Sequence, residues 1–177
     1  MTNELKLELT LCEMLPYGLN INFDNKINGV LVGYDSTNLF DLKVLEEFDN
    51  NTTIYKSWCI NDTKPLLHSL DKLTEPIIEG GLIPIFELAK LAIGKECKLK
   101  DVYVEESGVI YTVDLNCKSH TIIKFHYATD CNSFYLTRNG KSSFVNNQLE
   151  LFEKLKEWHF NLNDLPSEMY IEKSLTT

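Results

Sequence analysis

Cys117, His120, His126 and Cys131 place four zinc-type ligands within one short segment, and this is the first chemistry the chain offers. Strand geometry works against it. The segment "HTIIKFHY" from residue 120 alternates as a strand. Six residues at about 3.3 Å each then hold His120 and His126 roughly 20 Å apart, whereas two ligands of one zinc lie within about 4 Å of each other. The segment is therefore read as a strand, with Thr121, Ile123, Phe125 and Tyr127 packed inward and His120, Lys124 and His126 on the wetter face. No metal and no cofactor is expected.

Nucleophilic catalysis needs a Cys or Ser beside a base that a third group orients. Five cysteines (Cys12, Cys59, Cys97, Cys117, Cys131) and four histidines (His68, His120, His126, His159) allow many pairings, but no local signature such as G-x-S-x-G selects one. Gly80-Gly81 ahead of Pro84 resembles a phosphate-binding helix start, yet no P-loop lysine follows, so it reads as a linker. Glu46-Glu47 and Glu105-Glu106 read as solvated turns. His159 stands in "LFEKLKEWHFNL", where Leu151, Phe152, Leu155, Trp158, His159 and Leu162 share one helical arc about 120° wide. A histidine there must find hydrogen-bond partners, because an unsatisfied buried donor costs about 1 to 3 kcal/mol. It is expected to be an anchor, with Trp158 as a core residue, while Leu149 and Phe160 form a small second apolar strip.

The elements that would position these residues are mixed. Residues 3–13 fit both helix and strand spacing, and a short helix is expected. After Pro16-Tyr17-Gly18, "LNINF" and "VLVGYD" read as a hairpin with Gly29 available for positive φ, and "IYKSWCI" as a further strand after the turn "DNNTT". In "NDTKPLLHSLDKLTEP", Asp62 or Thr63 would cap a helix with Pro65 in its first turn and Leu66, Leu70 and Leu73 on one face. "PIFELAKLAIG" has the proline-in, glycine-out asymmetry of a short helix. From Asp101 the apolar period changes to two, and Asn139-Gly140 is the strongest hairpin signal. Asn147 and Glu150 form a variant capping box. The expected class is α+β: an antiparallel meander over about 101–145, packed with helices and closed by a C-terminal helix over about 147–161. Residues 1–177 should form one compact unit or two lobes, 1–95 and 96–177.

The chain has 177 residues, 44% of them apolar, enough for a core without disulfides or metals. Its net charge is −9, both halves are acidic, and Arg138 is the sole arginine. A general nucleic-acid binder or an anionic-membrane binder would need clustered Lys and Arg, so neither is expected. There is no long apolar run and no C-x-x-C pair. A cytoplasmic protein with reduced thiols is expected.

Three pieces in order carry a resemblance: Leu15-Pro16-Tyr17-Gly18; "KPLLHSLDKLT" from Lys64 to Thr74; and "EWHFNLNDLPSEMYIEKSL" from Glu157 to Leu175. Together they are similar to a family of short proteins common in Bacteroidetes phages, prophages and mobile elements of gut bacteria, with "LPYG", "KPxLRPLSSMT"-like and "HFDxxGLIxKGLA"-like motifs. The chain departs from it at His68-Ser69, where the family has Arg-Pro, and at Asn161, where it has Asp. The resemblance implies a habitat and a common framework built from the three pieces, with Tyr17, Gly18, Pro65, His68, Trp158 and His159 as its anchors, and it implies no catalytic residues. The expected function is a non-enzymatic accessory or protein-interaction protein. A small Cys/His-dependent hydrolase and an acidic DNA mimic or host-factor inhibitor are the alternatives.

Overall fold

A computed structural model describes residues 1–23, 27–34, 41–48, 52–60, 63–77, 81–94, 97–117 and 122–173, without the side chains of 27, 28, 34, 41–48, 52–59, 97 and 117. Gly80, Asp62, His120 and the side chains of Glu46, Glu47, Cys59, Cys97 and Cys117 thus lie outside the described residues, as do the turns at 49–51 and 118–121. The class is α+β, with three α-helices and two sheets among the described residues. No described helix is long and apolar enough to cross a membrane.

The chain divides into two compact units: Met1–Leu70 with Leu155–Thr177, and Asp71–Lys154. The expected lobe boundary near residue 95 is therefore displaced at both ends. Residues 71–94 belong with the meander because the helix at 84–93 packs on its strands, and the chain after residue 154 belongs with the N-terminal sheet because it pairs there.

In the first unit, α1 (Asn3–Met14) starts at Thr2, whose hydroxyl accepts from the Leu5 amide at 3.3 Å. Its ambiguous leucines are resolved by burial. Leu7, Leu11 and Met14 are buried at helical spacing, while Leu5 and Leu9 are exposed, so the alternating pattern was incidental. A single 3-10 turn, Leu15–Tyr17, ends at Gly18, whose left-handed φ of 64° reverses the chain. Strands β1 (Asn20–Phe23), β2 (Ile27–Tyr34), β3 (Asp41–Phe48) and β4 (Thr52–Cys59) follow as an antiparallel meander. Gly29 sits inside β2 opposite Ile21, not in the turn.

The expected helix after residue 62 is a strand, β5 (Thr63–Leu67), which runs antiparallel to β1 and ends before a 3-10 turn over Leu70–Thr74. Period two wins over the leucine spacing: Thr63, Pro65 and Leu67 are buried and Lys64 and Leu66 are half-buried. The short strand β11 (Ile171–Glu172) lies parallel on the other edge of β5 and begins opposite Leu66, just past the proline. The sheet order is β11-β5-β1-β2-β3-β4. Leu7, Leu11 and Met14 of α1 join Leu19, Ile21, Phe23, Leu31, Ile60, Leu67 and Leu165 in one apolar cluster.

The second unit holds α2 (Pro84–Ile93), closed by Gly94 at φ 61°, and five antiparallel strands. These are β6 (Cys97–Val104), β7 (Ile110–Cys117), β8 (Ile122–Ala128), β9 (Ser133–Arg138) and β10 (Lys141–Phe144), ordered β10-β9-β8-β7-β6. Asn139 and Gly140 take φ of 51° and 76°, the positive pair that a type I′ turn demands. On the inner face Tyr127 stacks on Phe134 at 4.6 Å between ring centroids, and Phe152 of α3 (Gln148–Glu157) tilts onto Phe134 at 4.9 Å. The Gln148 amide acts as a short strand beside β9, accepting from the Phe134 amide at 2.9 Å and donating to its carbonyl. Asn147 precedes the helix and donates to Glu150 Oε2 at 2.7 Å, a side-chain variant of the capping box.

Candidate functional site

His159 does not ride on the helical arc. α3 ends at Glu157, and His159 is the left-handed residue that closes it, at φ 61°. The His159 amide donates to the Lys156 carbonyl at 2.9 Å and the Phe160 amide to Leu155 at 3.0 Å, which is the Schellman arrangement. Glycine or asparagine usually fills that position, because a Cβ there meets the following carbonyl and costs about 1 to 2 kcal/mol. The imidazole offsets the strain with two hydrogen bonds. Nε2 donates to the Tyr17 carbonyl at 3.1 Å, and Nδ1 accepts from Lys173 Nζ at 3.2 Å. Burial, then the Lys173 charge, push the His159 pKa down to about 4, and burial lowers Lys173 as well. The ring is therefore a neutral imidazole protonated on Nε2.

The backbone around it joins the same segments. The His68 amide donates to the His159 carbonyl, the Asn161 amide returns to the His68 carbonyl, and the Lys173 amide reaches the Leu67 carbonyl, all at 2.8 to 2.9 Å. His68 is buried, with its ring 5.6 Å from that of Phe160. Tyr17, Gly18, Pro65, His68 and His159 thus fall in or beside one set of joined segments. Trp158 is only half-buried, not the core residue expected, because the helix has already ended there. Phe160 is fully buried, so the expected second apolar strip reduces to Leu149, which is 74% exposed. Asn161 engages the Leu165 backbone through both ends of its side-chain amide. Its amide nitrogen donates to the Leu165 carbonyl and its oxygen accepts from the Leu165 amide, both at 2.9 Å, a pairing an ionised aspartate could not complete.

The second cluster is on the outer face of the five-stranded sheet. His126 is buried there, not on a wet face, because the cross-strand register sets it between Thr112 and Tyr135, and the Tyr135 ring stacks on it at 4.4 Å. Thr112 Oγ1 donates to Glu105 Oε1 at 3.1 Å, so it accepts from His126 Nδ1 at 2.9 Å. Nε2 then accepts from Thr137 Oγ1 at 3.1 Å, and Thr137 from Ser142 at 3.0 Å. The chain of donors runs in one sense, Ser142 to Thr137 to His126 to Thr112 to Glu105, fixed by the carboxylate at its end. Beside it, Lys124 Nζ donates to the Tyr103 hydroxyl at 2.8 Å and pairs with Asp114 at 3.5 Å. Burial, with Lys124 adding to it, lowers the His126 pKa against the opposing pull of Glu105 and Asp114. Both ring nitrogens are occupied by threonine hydroxyls, which leaves His126 no lone pair for a metal.

Among the described residues no cluster of three or more His, Cys, Asp or Glu could hold a metal ion. Cys131 is exposed with Sγ 2.9 Å from Ser133 Oγ. Sequence reasoning missed Thr112 and Thr137, which the registers of the two hairpins would have placed beside His126, and it read Glu105 as a solvated turn where its carboxylate accepts from Thr112. It also missed Lys173, for which the sequence holds no local signal. No protein-family model matches the chain, and no curated protein and no solved structure is detectably similar to it.

Proposed function

We propose that the chain is a non-enzymatic accessory protein of a phage or mobile element and works by binding another protein along the β10 edge of the second unit. One observation carries this reading: β10 is an edge strand whose four residues are all exposed, with Phe144 73% exposed on it and Leu149 74% exposed five residues later. An open strand edge offers unpaired backbone donors and acceptors to an added strand, and exposed large apolar side chains next to it supply contact area. Exposed Arg138 and Lys141 flank the Asn139-Gly140 turn at this edge in a chain of net charge −9, so the fitting partner is an extended segment with acidic side chains.

The alternatives draw less support. The nitrogens of His126 and His159 are committed to internal partners, so neither is free to activate a cysteine thiol. On the outer face Asp114 is paired with Lys124 and Glu105 is turned to Thr112, which is an interspersed pattern and not the carboxylate stripe of a DNA mimic.

The test is affinity capture from host or phage lysate with the native chain, repeated with Ser143→Pro and with Phe144→Glu combined with Leu149→Glu. A protein captured by the native chain and lost with both variants, at unchanged circular dichroism, is the expected result. No capture at native expression, or capture indifferent to both variants, sinks the reading.

A further inference from the structure

Lys173 differs from the other lysines that have an ionic partner in the described structure. Lys6 pairs with Asp164, Lys72 with Glu75, Lys90 with Glu87, Lys124 with Asp114 and Lys156 with Glu13. Lys173 is half-buried, and its Nζ meets a neutral imidazole nitrogen, His159 Nδ1, at 3.2 Å. The nearest carboxylate in sequence, Glu172, is turned away, its Oε1 accepting from the Ser69 amide at 3.2 Å. The backbone leading to Lys173 is pinned by the hydrogen bond from the Lys173 amide to the Leu67 carbonyl and by the β11 pairing, and the ring is pinned by Tyr17. A lysine held this way, partly desolvated and beside a base without an anion, is the arrangement in which an ammonium gives up its proton and becomes a nucleophile.

We propose that Lys173 and His159 form a covalent modification site for small uncharged aldehydes. The neutral Nζ attacks the carbonyl carbon, forming the C–N bond as the C=O π pair moves to oxygen. His159 Nδ1 relays the amine protons to that oxygen. Both protons leave with the oxygen as water, and an imine remains on Nζ, with no electrons exchanged with any outside donor. An uncharged aldehyde fits because, among the described residues, no second cation acts on the pair to hold an anion, and the chain is acidic. The pair shares no residue with the β10 edge and stands whether or not that edge binds a partner.

The experiment is competitive labelling of the native chain with propionaldehyde and cyanoborohydride, which reduces each imine to a stable secondary amine, read lysine by lysine by peptide mass spectrometry at pH 7. Each unit of pKa changes the neutral fraction about tenfold, so Lys173 is expected to be labelled at least about threefold faster than exposed Lys98 and Lys100. In His159→Asn, which tolerates the left-handed backbone, that preference disappears while Lys98 and Lys100 keep their rates. Circular dichroism confirms the fold of the variant, and Lys173→Arg removes the preferred labelled peptide. Labelling of Lys173 no faster than the exposed lysines overturns the site, and a preference that survives His159→Asn overturns the role of the pair.

Discussion

The two units solve the problem of a buried histidine in opposite ways. His126 sits inside a regular sheet, and its partners Thr112 and Thr137 come from the adjoining strands β7 and β9, so ladder register alone delivers them. His159 sits where regular structure has just ended, and its partners come from Tyr17 and Lys173, one of them 142 residues away in sequence. The sheet histidine is held by short hairpins, whereas the other closes a unit whose two chain segments are separated by the whole of residues 71–154. Unit 1 should therefore be the more sensitive to a single change, since long-range closure must be completed before its contacts stabilise anything.

The largest expected effect tests that asymmetry. Phe160→Ala removes a fully buried aromatic that lies between the two hydrogen bonds joining His159 and Asn161 to His68, and should cost about 3 to 5 kcal/mol. Amide hydrogen exchange should show faster opening in β1, β5 and β11 with little change in β7 to β9. Equal loss of protection in both sheets would remove the distinction between the units. Next comes acid. The His159 pKa is depressed to about 4 against an unfolded value near 6.5, so its contribution is fully present above pH 6.5 and is lost as pH falls toward 4. The linkage amounts to about 3 kcal/mol, and urea midpoints measured across that window should fall accordingly. His126 is also depressed and adds a loss of the same sign on the other sheet. His159→Asn should flatten the curve of unit 1 alone, and a curve unchanged by it would mean that the imidazole is not buried neutral.

How much of this was legible in the sequence follows the same division. The meander expected over about 101–145, which begins earlier at Cys97, the Asn139-Gly140 turn and α2 could be read because turn chemistry and period two are local signals, each decided within a few residues. β5 could not. "TKPLLHS" carries both a period of two and a leucine spacing, and only pairing with β1 and β11 decides between them. The end of α3 was misplaced because the apolar arc continues through Trp158 and His159 with no glycine to mark the stop, and the left-handed turn is stabilised by Tyr17 and Lys173 instead. His159 was legible as a residue that needed partners, but their identity was not.

Thr112→Val probes the sheet histidine more gently. The substitution keeps the shape but deletes the hydroxyl that accepts from His126 Nδ1 and donates to Glu105, leaving one buried donor unmet at a cost of about 1 to 3 kcal/mol. The inner aromatic face should keep its protection, since Phe125, Tyr127 and Phe134 are untouched. A result near zero would mean that water replaces the hydroxyl and that the relay is not closed.

The smallest stability effect belongs to Trp158. As a core residue on a continuous helix its truncation would cost about 3 to 5 kcal/mol, but a half-buried ring beyond the last helical turn loses only part of its transfer free energy, so Trp158→Ala should cost about 1 to 2 kcal/mol. Its neighbour Leu155, fully buried one turn earlier, should cost about 2 to 5 kcal/mol when cut to alanine. The ranking matters more than either value. If chemical denaturation places Trp158→Ala above Leu155→Ala, the helix continues through residue 158 in solution, His159 returns to the apolar arc, and its bonds to Tyr17 and Lys173 could not both form.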